Sequence, residues 1–104
     1  MTPEKKVKQK VKHILKELSC YYCMPSTGGY GSSGVPDIIA SYRGKFIGIE
    51  CKANGNKPTA LQEKNLNDIK NSLGQSLVID EKNVDMLELF IKTCLLYTSD
   101  AADE

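Results

Sequence analysis

At 104 residues, 40% hydrophobic and 26% charged, the chain has material for one small domain and no more. No apolar run approaches the roughly 20 residues of a membrane span, and the lysine-rich start lacks the apolar stretch of a signal peptide, so a cytoplasmic protein is expected. All 14 basic residues precede Cys94 but only 10 of the 13 acidic ones do, so residues 1–93 carry four excess positive charges, a balance that suits a polyanionic partner without establishing one.

Thr2, Pro3 and Glu4 read as a helix start, with a capping hydroxyl, a proline suited to the first helical position and an acid in the first turn. Val7, Val11, Ile14, Leu15 and Leu18 then recur at helical spacing against a lysine-covered back. Glu4 lies three residues before Val7 and therefore on the apolar stripe. On its own it is adequately explained as an acid favoured by the helix dipole.

Ser19–Met24 reads as a short strand. Cys20 and Cys23 have the spacing of half a zinc site, but no second Cys or His pair completes it, and His13 is the sole histidine. Together with Cys51 they are expected to be buried or half-buried free thiols. The loop from Pro25 to Gly34 is rich in glycine and hydroxyl residues. It is either a plain connector or a surface where Ser32, Ser33 and Gly34 let a phosphate backbone approach while Tyr30 stacks or hydrogen-bonds. It lacks the spacing and the Gly-Lys ending of a nucleotide-binding loop.

Gly34–Ala40 and Phe46–Lys52 read as two isoleucine-rich strands joined near Gly44. A polar turn follows, and Thr59 with Gln62 forms a capping box that opens a second helix. Gln62, Leu66, Ile69 and Leu73 share its inner face and Gly74 ends it. Gln75–Ile79 reads as a further strand, and Asn83–Thr93 as a third helix with Val84, Leu87, Phe90 and Ile91 inward. The order α-β-β-β-α-β-α indicates an α/β fold, a small mixed β-sheet flanked by helices. Cys94–Glu104 breaks this pattern and back-translates, in one frame, to a sequencing-library adapter. It is expected to be read-through rather than native sequence; the alternative is a genuine acidic tail.

The chemistry concentrates where the two central strands meet. If they are antiparallel, Asp37 at the start of one neighbours Glu50 and Lys52 at the end of the other. Glu50 and Lys52 project together while Cys51 points away. A structural ion pair needs one acid and one base, so the second acid is surplus. Two clustered carboxylates repel, and a divalent cation is the usual means of keeping both ionised.

Pro36-Asp37 followed by Glu50-Cys51-Lys52 resembles the PD-(D/E)XK nuclease superfamily. The fuller pattern of Glu4, Gly34-Val35-Pro36-Asp37, Ile49-Glu50-Cys51-Lys52 and Gln62 is similar to its VRR-NUC (virus-type replication-repair nuclease) family, over residues from about Glu4 to Phe90. The resemblance implies a restriction-endonuclease-like fold, with residues 1–93 as a single nuclease domain. It also implies structure-selective DNA cleavage in replication, recombination or repair, and a phage or prophage source for stand-alone domains of this size. It adds Glu4 and Gln62 as supporting active-site residues.

On that reading Asp37, Glu50 and the backbone carbonyl of Cys51 hold Mg²⁺ or Mn²⁺. Lys52 orients or deprotonates the attacking water, or offsets charge developing on the phosphate. Lys5, Lys8 and Lys12 contact flanking phosphates without reading sequence. Small proteins resembling this family are expected to act on branched or flapped DNA as homodimers, with Leu87, Phe90 and Ile91 offering spare apolar surface. Two rivals stand beside this reading. One is a non-catalytic nucleic-acid-binding module on the same fold. The other is a protein-interaction domain in which Asp37 and Lys52 form an ordinary surface ion pair.

Overall fold

Thr2 caps the first helix as its hydroxyl suggests, its Oγ1 accepting from the Lys5 N–H at 3.2 Å. The computed structural model describes residues 1–26 and 34–93; the expected contacts Tyr30, Ser32 and Ser33 and the proposed adapter tail lie outside the described residues. Helix α1 runs Pro3–Glu17 and buries Val7, Val11 and Leu15. It ends with Ser19 at φ 60. The Ser19 and Cys20 N–H groups donate to the Lys16 and Leu15 carbonyls at 3.0 and 2.9 Å. Because those two amides close the helix, strand β1 is only Tyr21–Cys23, shorter than the expected Ser19–Met24.

Strands β2 (Ile38–Tyr42) and β3 (Lys45–Cys51) form the expected antiparallel hairpin. Arg43 and Gly44 turn it with φ 51 and 84, the two positive values that a type I′ turn requires. Helix α2 (Ala60–Asn71) carries the chain to β4 (Gln75–Ile79), which pairs with β3 in parallel. The sheet order is β1-β2-β3-β4, antiparallel except for the last pair. The sheet is therefore mixed, as expected.

Alternation along the strands assigns the layers. Ile38, Ala40, Ile47, Ile49, Cys51 and Ile79 face α1, and with Val84, Leu87 and Ile91 they form the main core. The other face carries α2. A Cβ on Gly48 would lie 2.6 Å from Ile69 Cδ1 and 3.1 Å from Pro36 Cγ, so α2 and the Pro36 turn press directly onto β3 there.

Three expectations about packing need correction. Leu73 is 81% exposed rather than on the inner face of α2. It sits at φ 71 past the end of the helix, where its N–H and that of Gly74 donate to the Lys70 and Ile69 carbonyls. This left-handed cap turns Leu73 off the apolar stripe, so Leu73 rather than Gly74 takes the conformation that favours glycine.

The last helix starts as a 3-10 turn, Val84–Met86, before continuing as α3 through residues 87–93. The Asp80 Oδ1 accepts from the Lys82 and Asn83 amides, tightening the entry. Leu87 and Ile91 are buried in the chain's own core and Phe90 is half-buried against it, so these three are not the spare apolar surface expected of them. Cys51 is buried and Cys20 half-buried, but Cys23 is exposed because the third residue of edge strand β1 faces away from the core.

Candidate active site

The hairpin register, Ile38 opposite Ile49, brings the start of β2 against the end of β3. Asp37 precedes Ile38 by one residue, and its Oδ2 accepts from the Cys51 N–H at 2.8 Å. That bond anchors the carboxylate across the strand ends. Glu50 lies beside it on the side opposite the Cys51 thiol, only 2% exposed. Lys52 Nζ stands 3.5 Å from Glu50 Oε2, as a spacing of two along a strand requires. Lys52 itself is held by its N–H to the Ile79 carbonyl at 2.9 Å, which extends the β3–β4 pairing by one residue.

The loop before Asp37 is locked from the other side. Gly34 adopts φ 83, and a Cβ there would lie 2.8 Å from the Leu61 carbonyl oxygen at the start of α2. Only glycine combines that conformation with that approach. Gly34, expected beside a phosphate backbone, is half-exposed and packs one side against α2.

Helix α1 adds a group that spacing alone did not assign to the centre. Lys8 Nζ lies 3.4 Å from Asp37 Oδ1 and 3.7 Å from Glu4 Oε2. Glu4 thus reaches the edge of the site through Lys8. The Asp37–Lys52 surface pair of the rival protein-interaction reading does not form: Asp37 pairs with Lys8 and Lys52 with Glu50. Gln62 is occupied elsewhere. Its Oε1 accepts from the Thr59 N–H at 2.9 Å while the Thr59 hydroxyl accepts from the Gln62 N–H, completing the capping box. Among the described residues it makes no hydrogen bond to Asp37 or Glu50. Lys5 is exposed and Lys12 half-exposed on α1.

Electrostatics follow from this crowding. Burial, and then the charge of Asp37, raise the Glu50 carboxyl to about 7, while Lys52 pulls the other way. Burial pushes the Cys51 thiol up to about 12, with Asp37 adding to the shift. Cys51 is accordingly an inert core thiol, not a nucleophile. For Lys8, burial disfavours the charge, but the nearby Asp37 and Glu4 carboxylates outweigh it and the net shift is upward.

No cluster of three or more His, Cys, Asp or Glu side chains suited to a metal is found among the described residues. The donor set is the two carboxylates, with the Cys51 backbone beside them. Hard oxygen donors in that small number fit Mg²⁺ or Mn²⁺, which bind through one or two carboxylates and keep several waters. A buried Glu50 held against a second acid is the feature that such a cation would relieve.

No protein-family model matches this sequence, and no curated protein matches it either. Among solved structures, the chain is similar to one described as a VRR_NUC domain, with a TM-score of 0.71 and 23% identity. The match covers 85% of this chain and 97% of that one. The chain therefore has the VRR_NUC fold, the one its sequence motifs resemble. No helix among the described residues is long and apolar enough to cross a membrane.

Proposed function

We propose that this domain is a metal-dependent endonuclease that hydrolyses phosphodiester bonds in branched or flapped DNA during replication, recombination or repair in the cytoplasm. The observation that carries the reading is the buried Glu50 beside Asp37, with Lys52 at 3.5 Å from Glu50, on a VRR_NUC fold.

Asp37, Glu50 and the Cys51 carbonyl would hold Mg²⁺ or Mn²⁺. When bound, that cation supplies a Lewis acid for the scissile phosphate and lowers the pKa of its water. The Cys51 N–H keeps Asp37 aimed at the strand ends, and the Ile79 carbonyl keeps the Lys52 backbone in place. The Lys52 ammonium, 12% exposed and close to Glu50, stands ready to orient a water or offset charge on the phosphate. Lys5 and Lys12 supply positive charge for flanking phosphates, and Glu4 supports the site through Lys8.

The test is a panel of labelled linear, flap, forked and four-way DNAs incubated with Mg²⁺, Mn²⁺ or EDTA. Cation-dependent cutting concentrated on the branched members supports the proposal. Binding to the panel with no cutting under any cation makes the domain a binding module instead. Resolution of a four-way junction needs two nicks and hence two copies of this single site. Light scattering of the protein with and without that DNA measures whether a homodimer assembles.

A further inference from the structure

Both acids of the site carry a lysine, but the two lysines differ in origin. Lys52 follows directly on strand β3, which carries its partner Glu50. Lys8 comes from α1, and its Nζ sits between Asp37 Oδ1 at 3.4 Å and Glu4 Oε2 at 3.7 Å with its side chain 23% exposed. The other Asp37 oxygen, Oδ2, already accepts from the Cys51 N–H. Both oxygens of Asp37 are thus engaged within the chain. Each oxygen keeps a second lone pair, so a cation at Asp37 binds in the field of the Lys8 ammonium 3.4 Å away.

We propose that Lys8 is a resident counter-ion that occupies the Asp37 oxygen facing α1 and thereby sets how tightly the site takes a divalent cation. This rests on the reading that Asp37 and Glu50 bind Mg²⁺ or Mn²⁺. The unit charge of Lys8 repels the incoming cation, and its ion pair with Oδ1 competes with metal for the charge of Asp37. Glu4, one helical turn earlier, offers the displaced ammonium a second partner. Lys8 is a positioning residue, acting through Asp37 rather than on substrate. The competing account is an ordinary half-buried ion pair that stabilises the fold and leaves metal affinity untouched.

The experiment is Mn²⁺ titration of the full chain without DNA, by calorimetry or by the electron paramagnetic resonance signal of free Mn²⁺. Lys8→Met keeps the aliphatic stem and removes the charge. It should bind Mn²⁺ on the order of tenfold more tightly than wild type, the scale of one charge removed a few ångström from a half-solvated site. Lys8→Arg should restore wild-type affinity. Thermal melting confirms that each variant folds, and Lys8→Gln replaces Lys8→Met if that variant does not. Equal or weaker Mn²⁺ affinity in a folded charge-deleted variant overturns the proposal, as does absence of Mn²⁺ binding in both proteins. A tenfold tightening in a protein whose wild type cuts no DNA supports the role of Lys8 while defeating the nuclease reading, so the two failures are distinguishable.

Discussion

Glu50 is the residue on which the site turns, because its burial and its neighbour Asp37 both oppose its charge. Its carboxyl in the folded chain, at about 7, lies above the ordinary 4.5. Between those pH values the folded state therefore binds more protons than the unfolded one, and stability falls as pH rises through that window. Glu50→Gln should remove this slope and stabilise the metal-free protein at pH 8 by about 1–3 kcal/mol. Urea unfolding at pH 5 and pH 8 measures both effects, and an unchanged slope would show that Glu50 is not the titrating group.

Lys52 is tested by turnover rather than by cation affinity, because the proposed mechanism gives it a role at the water or the phosphate. Lys52→Ala should keep Mn²⁺ binding but lose turnover by about 10²–10³-fold. Single-turnover cleavage checks this, and wild-type turnover would remove Lys52 from the mechanism. Asp37, Glu50 and Lys52 were legible in the sequence because strand alternation and a short hairpin fix which side chains meet. Lys8 was legible only as part of a basic face. Helical spacing says which residues share a face, not which strand end that face meets.

At the scale of elements, the two helix ends show what sequence signals miss. Both α1 and α2 close with left-handed caps at Ser19 and Leu73, where no glycine announces them. Leu73→Gly should therefore stabilise the domain by about 1 kcal/mol, because the exposed side chain contributes little packing to offset its backbone strain. Gly34→Ala should do the reverse, costing roughly 1–3 kcal/mol, since φ 83 and the Leu61 backbone both exclude a Cβ. Denaturant midpoints of the two variants measure both, and a Gly34→Ala protein as stable as wild type would refute the locking of the Asp37 loop by α2. The third helix taught a different lesson. Its apolar stripe was plain, but whether Leu87 and Ile91 served a partner or the chain's own core depended on how far the sheet extends beneath them.

The whole molecule is a mixed sheet that buries one face under α1 and α3 and places two acids and two lysines where its strands end. The excess positive charge before Cys94 predicts salt-sensitive DNA binding. Replacing both Lys5 and Lys12 with alanine should reduce the slope of log affinity against log salt by about 2, uniformly across DNA sequences. Fluorescence anisotropy over a salt series reads that slope.

The proposal that Asp37 and the buried Glu50 support cation-dependent hydrolysis is tested most directly by single-turnover cleavage of one flap substrate at saturating Mn²⁺. Wild type, Asp37→Asn and Glu50→Gln are compared, with EDTA as the control. The account predicts cutting by wild type that EDTA abolishes, and a loss of about a thousandfold in each variant with the fold retained. Cutting by either folded variant at the wild-type rate would contradict it.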